Sequence, residues 1–454
     1  MAGMDGLTPA KRVFGRRLRY WRRRAGLTQL QLATKLQFGH TYVSRLESGQ
    51  RQVQIQFALL ADDLLAAGGE LAELASSALA ECDGRSLEAA AVRVEVPLPG
   101  LPERAVTRPV LLDWQGSRLP DLAIVCPLHP REDCSSEIPT ELAATEDGGQ
   151  DHGEAAVHLF VGLLAAHTLA GMESTVAAGA TEVEHAAHDV VHRAESAQPN
   201  QRTAWLHLAA GFAAQAADQR AVAGQFGQAV TWLHRSVEWG AAGNNISIVC
   251  QALANLSVVA RMEGDAVTAM SYAEAAGAQD RARPWMSAHS LLHQARACAL
   301  RADQYGFEQR VAAARRLADT FREDDRFQAR WLHGAPGEAF VQSYLAGGLR
   351  DLSIHRADRA LARHAVRCAQ DSLAAIPAHL RTSRLLLGIR MADCLARAGE
   401  RDDATAVVAP LWEEASTSGV TLIRHELRYL RSSLRVAPLP GNPWRTGTSN
   451  QSKS

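Results

Sequence analysis

The side chains best placed to do chemistry in this sequence are guanidinium groups crowded at one end. Residues 1–51 carry eleven basic side chains (Lys11, Arg12, Arg16, Arg17, Arg19, Arg22, Arg23, Arg24, Lys35, Arg45 and Arg51) against Asp5 and Glu47, a formal charge of +9. The remaining chain holds 37 basic and 47 acidic residues, −10, so the net charge of −1 hides a basic head on an acidic body. A head of this kind suits non-covalent capture of a polyanion, nucleic acid above all, and the body does not. The plainer reading is a solvated charge run on a helix surface.

Other groupings are weaker. His185, His188 and His192 fall at i, i+3 and i+7 in TEVEHAAHDVVHRAE, on one helical face beside Glu184 and Asp189. Metal sites use such spacing, but a solvated or partner-facing stripe is the commoner use of it. Cys126, His129 and Cys134 make C-x2-H-x4-C with Cys82 a distant fourth, whereas zinc ligands usually come in tighter pairs. Neither is taken as a metal site, and no cofactor is implied. The seven cysteines are scattered and lack a CxxC pair, which reads as reduced, mostly buried thiols. There is no Gly-rich phosphate loop, HExxH, GxSxG or paired-carboxylate motif, so the expectation is a binding protein and not an enzyme.

The composition, 47% hydrophobic and 21% charged over 454 residues, is that of a globular chain of several domains. No uncharged apolar run reaches the ~18 residues of a membrane span. The opening MAGMDGLTPAKRVFGRRLRYWRRR has no apolar stretch behind its basic residues, so no secretory signal is expected and the protein is read as cytoplasmic, nucleoid-associated when on DNA. Four regions follow. Residues 10–82 hold short amphipathic stretches, and 93–153 is a Pro-rich linker in which Leu119–Val125 is either a strand or a docking segment. Residues 154–436 are Ala- and Leu-rich with helical periodicity, and 437–454 form a polar, frayed tail. The class expected is all-α.

In the first region, Val13–Ala25 puts Phe14, Leu18 and Trp21 on one helical face, and Gly26 stops it. Thr28 offers an N-cap for Gln29–Leu36, which buries Leu32, Ala33 and Leu36. After a turn at Gln37–Gly39, a helix over His40–Glu47 buries Val43 and Leu46 and leaves His40, Thr41, Ser44 and Arg45 facing outward. Ser48-Gly49 ends it, and Val53–Leu65 closes the core with Phe57, Leu60, Ala61 and Leu64.

The run R-A-G-L-T-Q-x-x-L-A (Arg24 to Ala33), then a turn, then V-S-R-L-E-S-G-x-R (Val43 to Arg51), resembles the phage-repressor and Cro-like, XRE-type helix-turn-helix family. Gln37, Gly39 and Val53 depart from it, standing where the family has a turn glycine, a Ser or Thr N-cap and a proline. The resemblance implies a bacterial, sequence-specific regulator binding double-stranded operator DNA. It places Gln29 on a phosphate at a helix N-terminus, and His40, Thr41, Ser44 and Arg45 toward the major groove. Arg45 would take a guanine edge in a bidentate pair, with Thr41 or Ser44 making less selective contacts. Arg51 would grip the backbone, Arg22 and Arg24 would be among the helix-1 arginines touching phosphates, and Glu47 would orient the third helix.

The third region is repetitive. Stepping 5, 9 and 12 positions on from Gly264 gives Ala269, Ala273 and Ala276; the same steps give Ala229, Leu233 and Ser236 from Gly224, and Ala404, Val408 and Leu411 from Gly399. Gly224 and Gly264 lie 40 positions apart, and the next step of 40 lands on Gln304 in RADQYG. Antiparallel helices meeting at a tight turn need small residues at the turn and at the closest crossing, and each pair leaves an apolar face for the next to cover. The region resembles the tetratricopeptide-repeat family in divergent form, a TPR-like α-solenoid. That resemblance implies a concave groove for a signalling peptide or another protein, with Trp205, Trp232, Asn255 and Arg296 as candidate lining. One helix-turn-helix makes few base contacts, so a homodimer is expected, assembled through the helical body. The second reading is an adaptor whose repeats recruit a protein, DNA contact being secondary.

Overall fold

The computed structural model describes residues 9–36, 38–51, 53–65, 67, 69–72, 74–75, 126–128, 152–173, 180–378 and 380–434. Leu119–Val125, Cys82, His129, Cys134 and the 437–454 tail lie outside the described residues. The chain divides into two compact units, residues 1–104 with 225–234, and residues 105–224 with 235–454. Every regular element among the described residues is helical.

The first unit opens with α1 (Pro9–Arg24), α2 (Gln29–Leu36), α3 (His40–Glu47) and α4 (Ile55–Leu65). Thr28 and Gln31 close α2 reciprocally: Thr28 Oγ1 accepts the Gln31 amide at 3.2 Å, and the Thr28 amide donates to Gln31 Oε1 at 2.8 Å. Phe14, Leu18, Leu32, Val43, Leu46 and Phe57 are fully buried, each apolar side chain contributing about 1.5–3 kcal/mol on burial.

The fourth helix differs from the sequence expectation. Leu60 and Leu64 are 44% and 38% exposed, and the inward residues are Phe57, Ala58, Ala61 and Leu65. Asp62 explains the rotation. It sits on the side of Ala58 and Leu65, buried, and accepts the backbone amides of Gly69 at 3.0 Å and Ala72 at 2.5 Å. Turning that carboxylate inward carries Leu60 and Leu64 out.

The second unit is a helical array. It contains α5 (His152–Glu173), α6 (Ala180–Ser196), α7 (Pro199–Val222), the end of α8 (Phe226–Ala242), α9 (Ile246–Met262), α10 (Ala266–Gly277), α11 (Pro284–Leu300), α12 (Gln304–Ala318) and α13 (Glu323–Gln328). It continues with α14 (Gly334–Arg356), α15 (Arg359–Ala375), α16 (Arg381–Ala398), α17 (Arg401–Val408), α18 (Trp412–Thr417) and α19 (Thr421–Leu434). The pairs α9/α10, α11/α12, α14/α15 and α16/α17 each pack as neighbours, and the first members α9, α11, α14 and α16 also pack in series. Each pair thus covers the apolar face of the one before it.

The turns follow the small-residue pattern closely. Gly224, Gly264 and Gly399 adopt φ of +83°, +79° and +94°, the left-handed conformation that costs glycine little. In RADQYG the turn residue is Ala302, at φ +60°, and Ala357 plays the same part at +51°. The next residue then caps the second helix. Asp265, Asp303 and Asp358 accept the amides of Thr268, Gly306 and Ala360 at 3.0, 2.8 and 2.7 Å. At the crossings, buried serines donate to carbonyls of the neighbouring helix: Ser257 to Ala269 and Ser290 to Ala273, both at 2.7 Å, and Ser372 to Ala339 at 2.9 Å. Such short reach requires the small side chains found there, and Ala269, Ala273 and Ala276 are indeed buried. Among the described residues, no helix is long and apolar enough to cross a membrane.

Candidate nucleic-acid interface

Helix α3 is held by its last residue. Glu47 is buried and binds Arg22 through two hydrogen bonds, Nε to Oε1 at 2.5 Å and Nη2 to Oε2 at 2.9 Å. Gln29 Nε2 adds a bond to Oε2 at 2.8 Å, and Arg19 Nε another at 3.3 Å. Burial alone would raise this carboxyl, but the bonds from Arg22 and Gln29, the Arg22 charge and the Arg19 bond hold it below the usual carboxylate range. Glu47 therefore ties α1, α2 and α3 together as a charged hub.

Gly15 lets the helices come that close. A Cβ at this position of α1 would overlap the carbonyl oxygens of Leu46 and Glu47. Sequence reasoning missed Gly15, although an isolated glycine inside an amphipathic helix is the usual sign of a close approach. A second tie lies at Glu70, which accepts from Arg17 Nε and Nη2 and, at 2.9 Å, from Trp21 Nε1.

With its inner face fixed by Val43, Leu46 and Glu47, α3 presents His40, Thr41 and Arg45 to solvent and Ser44 half-buried beside them. Gly39 supplies an extended N-cap without a side-chain bond, and α3 still begins at His40. Among the described residues, Arg45 has no ion pair or side-chain hydrogen bond, so its guanidinium keeps all five donors for an outside acceptor. Arg51 is exposed past α3 with its guanidinium 5.0 Å from the Tyr42 ring centre. Arg24 is exposed over Trp21, also at 5.0 Å. Arg12, Arg23 and Lys35 are exposed as well.

Residues 13–75 match the family model of a helix-turn-helix domain. No curated protein and no solved structure matches the chain.

Two of the helix-turn-helix site residues sit differently from the sequence expectation. Arg22 is 8% exposed and spends its donors on Glu47 and on the Leu27 carbonyl at 2.7 Å, so it belongs to the framework and not to the phosphate-facing set. Gln29 lies half-buried at the start of α2 with its amide already bonded to Glu47. Arg24, His40, Thr41, Ser44, Arg45 and Arg51 remain reachable from outside.

The side chains expected to line a groove are instead packed. Trp205 is buried edge-on to Phe160 at 5.7 Å, and Trp232 and Asn255 are buried too. Long side chains on array helices fill the spaces between helices here, because Ala-rich neighbours leave room for them. Arg296 borders a cavity, paired with Asp351 at 2.9 Å. Among the described residues, no three His, Cys, Asp or Glu side chains are grouped to hold a metal ion, and exposed His192 lies 3.7 Å from Glu195.

Proposed function

We propose that this protein is a sequence-specific DNA-binding transcriptional regulator of the bacterial XRE type. Its helix-turn-helix domain reads operator DNA, and its TPR-like array serves dimerisation and effector sensing. The observation that carries this reading is the contrast within α3: the inner face is locked through Glu47, while Arg45 stands exposed and, among the described residues, unpaired beside His40, Thr41 and Ser44. A rigid helix carrying free polar side chains suits the major groove, where an arginine can pair with guanine O6 and N7. Arg24 and Arg51 flank it and suit phosphates, which position a domain without reading sequence.

A homodimer supplies the second half-site that a module of this size needs for useful affinity. The acidic balance of the remaining chain fits a body that stays off the nucleic acid. The place of action is the cytoplasm, at the nucleoid.

The test is selection of binding sites by the full-length protein from a randomised duplex library. A consensus with two related half-sites is expected, and Arg45→Ala should lose preference at one base of each half-site. Full selectivity retained by Arg45→Ala would overturn the assignment of α3. Binding without any consensus would favour the adaptor reading instead.

A further inference from the structure

Arg261, Arg296, Arg350 and Arg390 converge from four helices, α9, α11, α14 and α16, on one cavity of about 70 Å³. Of the residues lining it, only Asp351 and Glu426 carry negative charge. Asp351 takes Arg296 Nη2 at 2.9 Å and Arg350 Nη2 at 3.1 Å, while Glu426 takes Arg350 Nη1 and, at 2.8 Å, Arg390 Nη2. Three arginines thus share two carboxylates. Asp393 nearby attracts Arg350 but is itself paired with Arg397 at 3.0 Å, so it brings its own cation with it. His425 also lines the cavity, and burial lowers its imidazole toward the neutral form.

Arg261 is left over. Among the described residues it forms no ion pair; it feels Asp351 only through space, and its guanidinium carbon lies 6.0 Å from the Tyr344 ring centre. Its Nε is buried without an acceptor, and so is Nε of Arg296, whose side chain is only 7% exposed. Space for the Arg296 guanidinium is reserved by Gly347, where a Cβ would overlap it. Uncompensated positive charge away from bulk water is expensive, and both arginines line the cavity, so an anion entering it would offset the surplus. Burial, then the Arg296 charge, already lowers the Arg261 guanidinium to about 9.

We propose that this cavity is an oxyanion site, taking the phosphate or carboxylate group of a small ligand between Arg261 and Arg296. The cavity is far smaller than the ~300–1,000 Å³ of drug-sized sites, so it admits one anionic group with its waters and not a peptide. This deepens the sensing role proposed above and specifies its ligand class.

The test is calorimetry and thermal unfolding of the full-length protein, without DNA, in inorganic phosphate, acetate or chloride at constant ionic strength. Phosphate or acetate should bind saturably at one per chain and raise Tm beyond chloride, the better of the two reporting the geometry of the natural group. Arg261→Gln should weaken that binding at least about tenfold. Its unliganded Tm should equal or exceed that of the parent, since a like charge is gone. Arg261→Lys should retain part of the affinity. Absence of saturable binding by either anion, affinity unchanged by Arg261→Gln, or a lower unliganded Tm in both Arg261 variants would overturn the proposal. Because no DNA is present, any of these leaves the operator-binding reading untouched, and loss of DNA binding would leave this site untouched.

Discussion

Arg22 reaches from α1 to the end of α3 and grips both carboxylate oxygens of Glu47, at 2.5 and 2.9 Å. The pair is buried, so it sets geometry more than it adds net stability, yet removing one partner strands the other. The exposed surface of α3 inherits its orientation from this contact.

Glu47→Ala should therefore cost the helix-turn-helix domain about 3–5 kcal/mol. Hydrogen exchange of peptides spanning α1 to α3 in the full-length protein reads this directly, and unchanged protection would contradict it. The same pair sets an acid limit. Glu47 is held below its ordinary value when folded, so its contribution is complete above the unfolded carboxylate value of about 4.3 and fades as pH falls through the lower folded value. After correction for intrinsic rates, protection of α1 to α3 should fall below about pH 4, and Glu47→Gln should flatten that dependence.

Gly15→Ala should destabilise the domain by about 1–3 kcal/mol, because the added methyl meets the carbonyl oxygens of Leu46 and Glu47. Helix propensity alone gives the opposite sign, alanine being better than glycine by about 1 kcal/mol. A melting experiment separates the two. Stabilisation by Gly15→Ala would mean that α1 and α3 are not in contact there.

In the helical array, Gly264 combines φ +79° with nothing near its absent Cβ. Gly264→Ala should lose about 1 kcal/mol from the left-handed conformation alone. Ala302→Gly, at φ +60°, should gain slightly less than that, since glycine also loosens the unfolded chain. Urea titration would expose an error if both substitutions moved stability the same way.

Arg51→Ala should weaken binding to all duplex sequences alike and lower the slope of log K against log salt by about one. Arg22→Ala should act differently, losing DNA affinity only in step with loss of folded domain. An Arg22→Ala protein that stayed folded and lost a unit of salt slope would return Arg22 to the phosphate-contacting set.

Much of this was legible in the sequence where chemistry is local. The limits of α2 and α3 follow from Thr28, Gly39 and the Leu32, Val43 and Leu46 spacing, and the turn glycines 224, 264 and 399 mark hairpins of the array. What escaped depends on partners distant along the chain. Arg22 looks like any surface arginine until Glu47 is brought to it, and Leu60 reads as core until Asp62 turns the helix. Asp265, Asp303 and Asp358 follow a left-handed residue each time, a Gly-Asp or Ala-Asp signal that the glycine spacing alone overlooked. The arginine cavity gathers residues from 258 to 429, a span no periodicity captures.

The most direct test of the central claim is binding of the intact protein to a random-sequence duplex across a salt series. Tight retention in dilute buffer that collapses as salt rises, with several phosphates' worth of slope, is the expected result. No retention of duplex even at the lowest salt would contradict it.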